Sequence, residues 1–300
     1  MLAGSVLACI ACNNTDYLSP DESTPAVVAE PAAAPELSAM SVASYRNGIP
    51  FGTTAQPTST FGDLYNGALR NIWPKYLLHE LNAIRVRGGR VVLMFAGSER
   101  FYKDRYGHFD LSKWKARVAR FRGVNFSSYL KDGTIVGHYL IDEPQDPANW
   151  NGRPITGRTL EEMARYSKQL WPNMTTIVRA EPAKIRWSGR YQYLDAAWAQ
   201  YVYRRGDVHT FLRTAVSDAQ RMGLGLVVGL NISKGSPSKS RMSPTQILNA
   251  GSALLSSSYP CAFISWRYES TYLSTSGVRA ARRNLRNKAQ ARSIKTCRSS

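Results

Sequence analysis

The chain has 300 residues, 43% hydrophobic and 11% aromatic, with a formal net charge of +18. That length and apolar content suit one large α/β domain of roughly 250 residues with an appendage, and the charge favours anionic partners such as acidic glycans, anionic lipid heads or nucleic acid. Neither paired Cys/His zinc spacing nor an aromatic ribonucleoprotein motif occurs, so no nucleic-acid module is expected.

The opening, Met1 to Cys12, is apolar and carries Cys9 and Cys12. It is too short to span a bilayer and looks like the apolar core of a secretory signal. It resembles a bacterial lipoprotein signal, in which small residues precede a lipidated Cys. Val6-Leu7-Ala8-Cys9 fits that pattern, but Cys12 stands where apolar sequence yields to polar Asn13-Asn14-Thr15-Asp16, and Cys12 is the expected lipidation site. The alternative is an ordinary cleaved signal peptide. The resemblance implies an exported protein, lipid-anchored at the bacterial periplasm or cell surface. Residues 13–45 are rich in Pro, Ala, Ser and Glu without apolar periodicity and read as a disordered tether.

From Asn47 onward strand and helix signals alternate. Ile49 to Thr54 reads as a strand. Leu77, Leu81 and Ile84 form a helical stripe after Pro74. Arg90 to Ala96 is a strand, and Leu111, Trp114, Val118 and Phe121 are a stripe after Asp110. The apolar run Thr134 to Ile141 reads as a strand covered on both faces, stopped by Asp142-Glu143-Pro144 because Pro cannot donate to a ladder. Thr159-Leu160-Glu161-Glu162 reads as a capping box opening the next helix. Thr175 to Glu181 is a strand before Pro182, and Tyr193 to Tyr201 is another. Asp207 caps a helix through Met222, Leu224 to Asn231 is a strand, and Ser243-Pro244 with Gln246 opens a helix through Leu254. Ala262 to Glu269 is the last strand, followed by a basic helix.

Seven strands thus alternate with helices, and an eighth is available in Ala68 to Ile72. The pattern argues for a single-domain TIM (β/α)8 barrel over 46–290, with a C-terminal tail over 291–300. A doubly wound sheet is the alternative. It usually advertises a Gly-rich phosphate loop, and Gly223-Leu224-Gly225 leads into a strand rather than a helix.

A barrel gathers the carboxyl ends of its strands at one face, where chemistry is done. The residues at those ends are Glu99, Asp142, Glu143, Arg179, Glu181, Asp195, Trp198, Gln200, Asn231, Trp266, Arg267, Tyr268 and Glu269. Carboxylates among aromatic, amide and guanidinium groups suit a sugar: rings stack on its apolar faces and polar groups bind its hydroxyls. One carboxylic acid of raised pKa protonates a glycosidic oxygen while a second carboxylate activates water or attacks carbon.

Ile141-Asp142-Glu143-Pro144 resembles the fourth strand of retaining (β/α)8-barrel glycoside hydrolases, whose acid/base Glu stands in an Asn-Glu-Pro motif. The resemblance implies Glu143 as acid/base, with Asp142 in place of the Asn that holds the sugar 2-hydroxyl. That family's nucleophile is a Glu after strand seven, where this chain has Leu230-Asn231. Glu269 or Asp195 would then serve, which leaves Glu143, Glu269 and Asp195 as the catalytic candidates. Asp142, Arg179, Glu181, Trp198, Gln200, Asn231, Trp266, Arg267 and Tyr268 are the expected substrate-binding residues. Structural roles compete for several of them: Asp195 as a partner of Arg179 inside the barrel, Glu269 as a partner of Arg267 at the rim.

The four histidines, His79, His108, His138 and His209, show no His-Glu-x-x-His pattern, so neither a zinc site nor any other metal or cofactor is expected. No Gly-x-Ser-x-Gly elbow suggests an esterase. In an exported chain Cys261 and Cys297 are a candidate disulfide, the alternative being one buried and one free thiol. The expected partners are a carbohydrate, an acidic one among the possibilities, and a membrane through the lipid anchor, with the protein itself a monomer. Two rivals stand: a noncatalytic carbohydrate-binding lipoprotein on the same scaffold, and a basic surface protein binding anionic polymer through its C-terminal helix.

Overall fold

The computed structural model describes residues 47–298. The signal, Cys12 and the tether lie outside the described residues. Eight strands, all parallel, pair in chain order and close into one barrel. They are β1 Phe51–Thr54, β2 Gly67–Arg70, β3 Arg90–Leu93 and β4 Ile135–Asp142. The other four are β5 Thr176–Arg179, β6 Ala196–Tyr201, β7 Gly225–Leu230 and β8 Ala262–Ser265. This is the TIM (β/α)8 barrel, and the segment after Ala68 does supply the strand missing from the plain alternation.

The helices are α1 Leu77–Val86, α2 Leu111–Ala119, α3 Ser127–Lys131 and α4 Gly157–Leu170. They continue as α5 Val208–Arg221, α6 Pro244–Leu254, α7 Ser270–Leu273 and α8 Ser276–Gln290. Side-chain caps start several of them. Asp110 accepts from Lys113 N, Asp207 from Thr210 N, and Ser243 with Gln246 forms a reciprocal capping box. The expected box at Thr159 does not form. Thr156 caps α4 instead, accepting from Thr159 N at 3.2 Å, because the helix starts at Gly157 and places Thr159 inside its first turn.

The barrel is a packed core rather than a pore. Leu69, Val92, Tyr139, Ile177, Trp198, Val227 and Ile264 fill it. On the outer side of β4, His138 is wholly buried beside Phe95, Trp114 and Trp171, with Nδ1 2.9 Å from Ser167 Oγ. Desolvation pushes its pKa down to about 3, so it is a neutral packing residue.

The amino end of the barrel is closed by the tail. Cys261, just before β8, is joined by a disulfide to Cys297. Arg292 and Lys295 reinforce the seal by donating to the carbonyls of Pro260 at 2.8 Å and Tyr259 at 2.9 Å. The tail packs so closely on β7 that a Cβ at Gly225 would stand 2.5 Å from the Cys297 carbonyl oxygen, and only glycine fits there.

Candidate active site at the barrel mouth

The site begins where β4 ends. The β4–β5 register shifts between Tyr139 and Asp142, an irregularity of the kind that re-aims side chains at barrel rims. The next residue, Glu143, has φ of 33°, an unfavourable backbone for a residue with a Cβ. It is held there from both sides: Glu143 N donates to Arg179 O at 2.9 Å, and Trp150 Nε1 donates to Glu143 O at 3.2 Å. Backbone strain maintained in this way concentrates at functional positions.

Arg179, the last residue of β5, organises the mouth. Its Nη2 donates to Asp142 Oδ2 at 2.7 Å and its Nε to Asp142 Oδ1, a side-on pair with both side chains about 10% exposed. Its Nη1 donates to Gln200 Oε1, and Gln200 Nε2 donates onward to Leu230 O at 3.0 Å. The Trp266 ring covers the guanidinium, with its centroid 4.8 Å away. Burial works against the Arg179 charge, but Asp142, Tyr139 and Glu143 outweigh it and hold the group well above its ordinary pKa.

Two further carboxyls share this environment. Glu143 is raised above the ordinary carboxylate value, first by burial, with Asp142 and Asp146 adding to it against Arg179 and Arg205. Glu99 lies in the 3₁₀ turn Glu99–Phe101 after β3, its side chain 13% exposed and 3.4 Å from Lys103 Nζ. Burial and then Asp142 push Glu99 up to about 7, against Lys103 and Arg179. Glu99, Asp142 and Glu143 thus form one electrostatic group around Arg179.

The remaining candidates divide. Glu181 is paired with Arg205 at 2.5 Å and Lys184 at 3.4 Å. Trp198 is wholly buried, with its ring edge-on to Tyr139, and its Nε1 has no partner. Asn231 accepts from Lys234 N at 3.0 Å and pairs as an isolated bridge with Trp266. Tyr268 N donates to Thr54 O at 3.0 Å, and its ring meets Tyr65 edge-on.

Two expectations are corrected. Asp195 directly precedes β6, which places it at the amino end of the barrel, away from the mouth. There it is 2% exposed, accepts from Lys168 Nζ at 2.8 Å and Thr176 N at 2.9 Å, and holds the β5–β6 start together. Its partners there are Lys168 and Thr176, and Arg179 stands at the opposite end of β5. Glu269 is paired not with Arg267 but with Arg241, whose Nε stands 3.0 Å away, and it also accepts from Ser233 Oγ at 2.6 Å.

Glu143, Gln145, Arg179, Ala180, Glu181, Trp198, Gln200 and Arg205 line a cavity of about 20 Å³. That holds one water. Trp198, whose Nε1 has no partner, and Glu143 both belong to its wall. Gln145 and Arg205 escaped the sequence reading because they lie in loops beyond the strand ends. Glu99 was visible as a strand-end acid, but nothing in its neighbours along the chain signals its burial. Among the described residues no group of three or more His, Cys, Asp or Glu is placed to hold a metal ion.

No family profile and no curated protein matches the sequence. Solved structures do match the fold, and they include glycoside hydrolase barrels. An endo-β-mannanase/endo-β-glucanase of Prevotella bryantii superposes with a TM-score of 0.52 at 11% identity, over 84% of this chain and 50% of the other. A β-D-glucuronidase of Dictyoglomus thermophilum gives 0.53 at 8% identity, over 85% and 52%. A β-1,4-D-mannanase of Cryptopygus antarcticus gives 0.53 at 8%, over 84% and 93%. This chain spans about half the length of the first two. At these identities the likeness is one of fold.

Proposed function

We propose that this protein is an exported, lipid-anchored glycoside hydrolase whose general acid is Glu143. The observation that carries the reading is the placement of Glu143: a strained, doubly pinned residue at the end of β4, with a raised pKa, on a water-sized cavity beside the Asp142–Arg179 pair. The solved barrels of like fold are named for cleaving β-mannan, β-glucan and β-glucuronides, which agrees with it.

In this mechanism protonated Glu143 gives its proton to the glycosidic oxygen as the bond to the anomeric carbon breaks. Asp142, gripped side-on by Arg179, stabilises the developing positive charge on the sugar ring. Glu99 is the second carboxylate. A base poised near 7 takes the proton of the attacking water efficiently at neutral pH. Trp266 and Asn231 present a ring and an amide to the sugar, while Gln200, engaged at both ends, holds Arg179 in place.

A noncatalytic carbohydrate-binding barrel is the second reading. It is favoured by the end of β7, where Leu230-Asn231 brings no carboxylate, and by the engagement of Glu269 with Arg241 and Ser233.

The test is reducing-end release from a broad glycan panel by the full chain and by Glu143→Gln. Hydrolysis by the wild type that falls about 10²–10⁴-fold in the variant, with binding kept, supports the first reading. Glycan binding without release from any member selects the second.

A further inference from the structure

The loops after β7 and β8 are the cationic side of the mouth. They carry Lys234, Lys239, Arg241 and Arg267 against one acid, Glu269, and Arg241 already neutralises it at 2.9 Å. Around the rest of the mouth each central cation is committed to a carboxylate: Arg179 to Asp142, Arg205 to Glu181, Lys103 to Glu99.

Arg267 differs. It is half-buried, yet among the described residues its side chain makes no ion pair and no hydrogen bond, and none of its nitrogens is sealed from solvent without a partner. A guanidinium at the mouth that no carboxylate engages keeps its whole donor fork available to an anion that arrives.

Its backbone is fixed. Trp266 N donates to Leu230 O at 2.8 Å, Ile232 N to Trp266 O at 2.7 Å, and Tyr268 N to Thr54 O at 3.0 Å. Arg267 is therefore carried on a segment tied to β7 on one side and β1 on the other, the rigid base that a recognition residue needs. The preceding residue, Trp266, covers Arg179, so the segment adjoins the Asp142–Arg179 pair.

We infer that the glycan bound at this mouth is anionic, and that Arg267 holds its carboxylate or sulfate group through a two-pronged hydrogen bond. The planar guanidinium fork matches either anion, which a lysine ammonium does not. The positive field of the whole chain draws such a polymer in, while Arg267 selects the sugar that stops at the reacting carboxyls. The inference rests on the mouth being a glycan site, as proposed above.

The test is titration calorimetry on the full chain at low and high salt. The probes are oligogalacturonides, heparin-derived sulfated oligosaccharides, and neutral manno- and cello-oligosaccharides. The proteins are the wild type, Arg267→Gln, Arg267→Lys and the rim control Lys239→Gln, each with its melting temperature measured. At least one acidic series binds. Arg267→Gln weakens it about 10- to 100-fold, the scale of a lost charged hydrogen bond. Arg267→Lys keeps the charge and lies between, and Lys239→Gln changes little.

The carboxylated and sulfated arms tell which anion is held. Equal binding of neutral and acidic series, no binding of any acidic series, or unchanged affinity in a folded Arg267→Gln overturns the inference. Binding is read by titration of these proteins carrying Glu143→Gln and turnover by reducing-end release with Glu143 intact, so the two readings fail separately. Acidic glycan held through Arg267 but never cleaved upholds this inference and refutes hydrolysis. Cleavage of neutral glycans alone does the reverse.

Discussion

Arg179 grips Asp142 side-on: Nη2 donates to one carboxylate oxygen at 2.7 Å and Nε to the other, deep in the mouth of the barrel. Neither charge has enough solvent to stand alone. Asp142 is also the residue that would have held a sugar hydroxyl, and Arg179 already engages both its oxygens.

Removing one member of such a pair strands the other. Asp142→Ala should cost about 3–5 kcal/mol of stability, because the Arg179 charge stays buried without its partner. The double variant Asp142→Leu, Arg179→Met should recover most of that loss. Urea unfolding monitored by circular dichroism measures both. A single variant as stable as the wild type would show that the pair is better hydrated than its 9–10% exposure implies.

Glu99 makes stability fall with rising pH. Its carboxyl titrates near 7 in the fold against an ordinary 4.5, so between those values the folded protein keeps a proton that the unfolded chain has lost. The contribution is complete below 4.5 and lost by about 7, an upper limit of roughly 3 kcal/mol. Glu99→Gln should remove that slope and be the more stable protein at pH 8. Denaturant midpoints at pH 5, 6, 7 and 8 decide it; parallel curves for the two proteins would refute it.

His138 acts in the opposite sense. Burial lowers it from 6.5 to about 3, so its neutral form supports the fold above 6.5, and that support drains away as pH falls toward 3. At pH 5 the loss is roughly 2 kcal/mol. His138→Phe suits the surrounding rings and should flatten the acid limb, even if the orphaned Ser167 hydroxyl lowers the plateau. The slope of unfolding free energy between pH 7 and 5 is the readout.

The disulfide spans 36 residues. Constraining a loop of that length in the unfolded chain is worth about 4 kcal/mol in the chain-entropy model. The double variant Cys261→Ala, Cys297→Ala should melt well below the oxidised wild type, and reduced wild type should approach it. Equal melting temperatures for all three would mean that the tail holds without the bond.

Much of the scaffold was legible. Acids and prolines directly after apolar runs marked the ends of β4 and β5, because Pro144 and Pro182 cannot extend a ladder. β2 reads Gly67-Ala68-Leu69-Arg70, with a single large apolar side chain, so its pattern does not stand out. Asp195 was misplaced because an acid beside a strand marks an end without saying which end. Tyr193-Leu194 looked like strand, but β6 starts at Ala196. The ion pairs were illegible for another reason. Asp142 with Arg179, and Arg241 with Glu269, depend on which loops the closed barrel brings together, and local sequence carries no such information.

The barrel is entered and left at the same place. Ile49 N donates to Ala289 O at 3.1 Å, and Gly48 packs so tightly on the end of α8 that a Cβ would lie 2.1 Å from that carbonyl. Helices run back against the strands, so this junction lies at the amino end, beside the disulfide plug and opposite the acids. A bead or sensor chip coupled near residue 47 would therefore hold the protein with its mouth turned outward, toward polymers too large to diffuse beneath it.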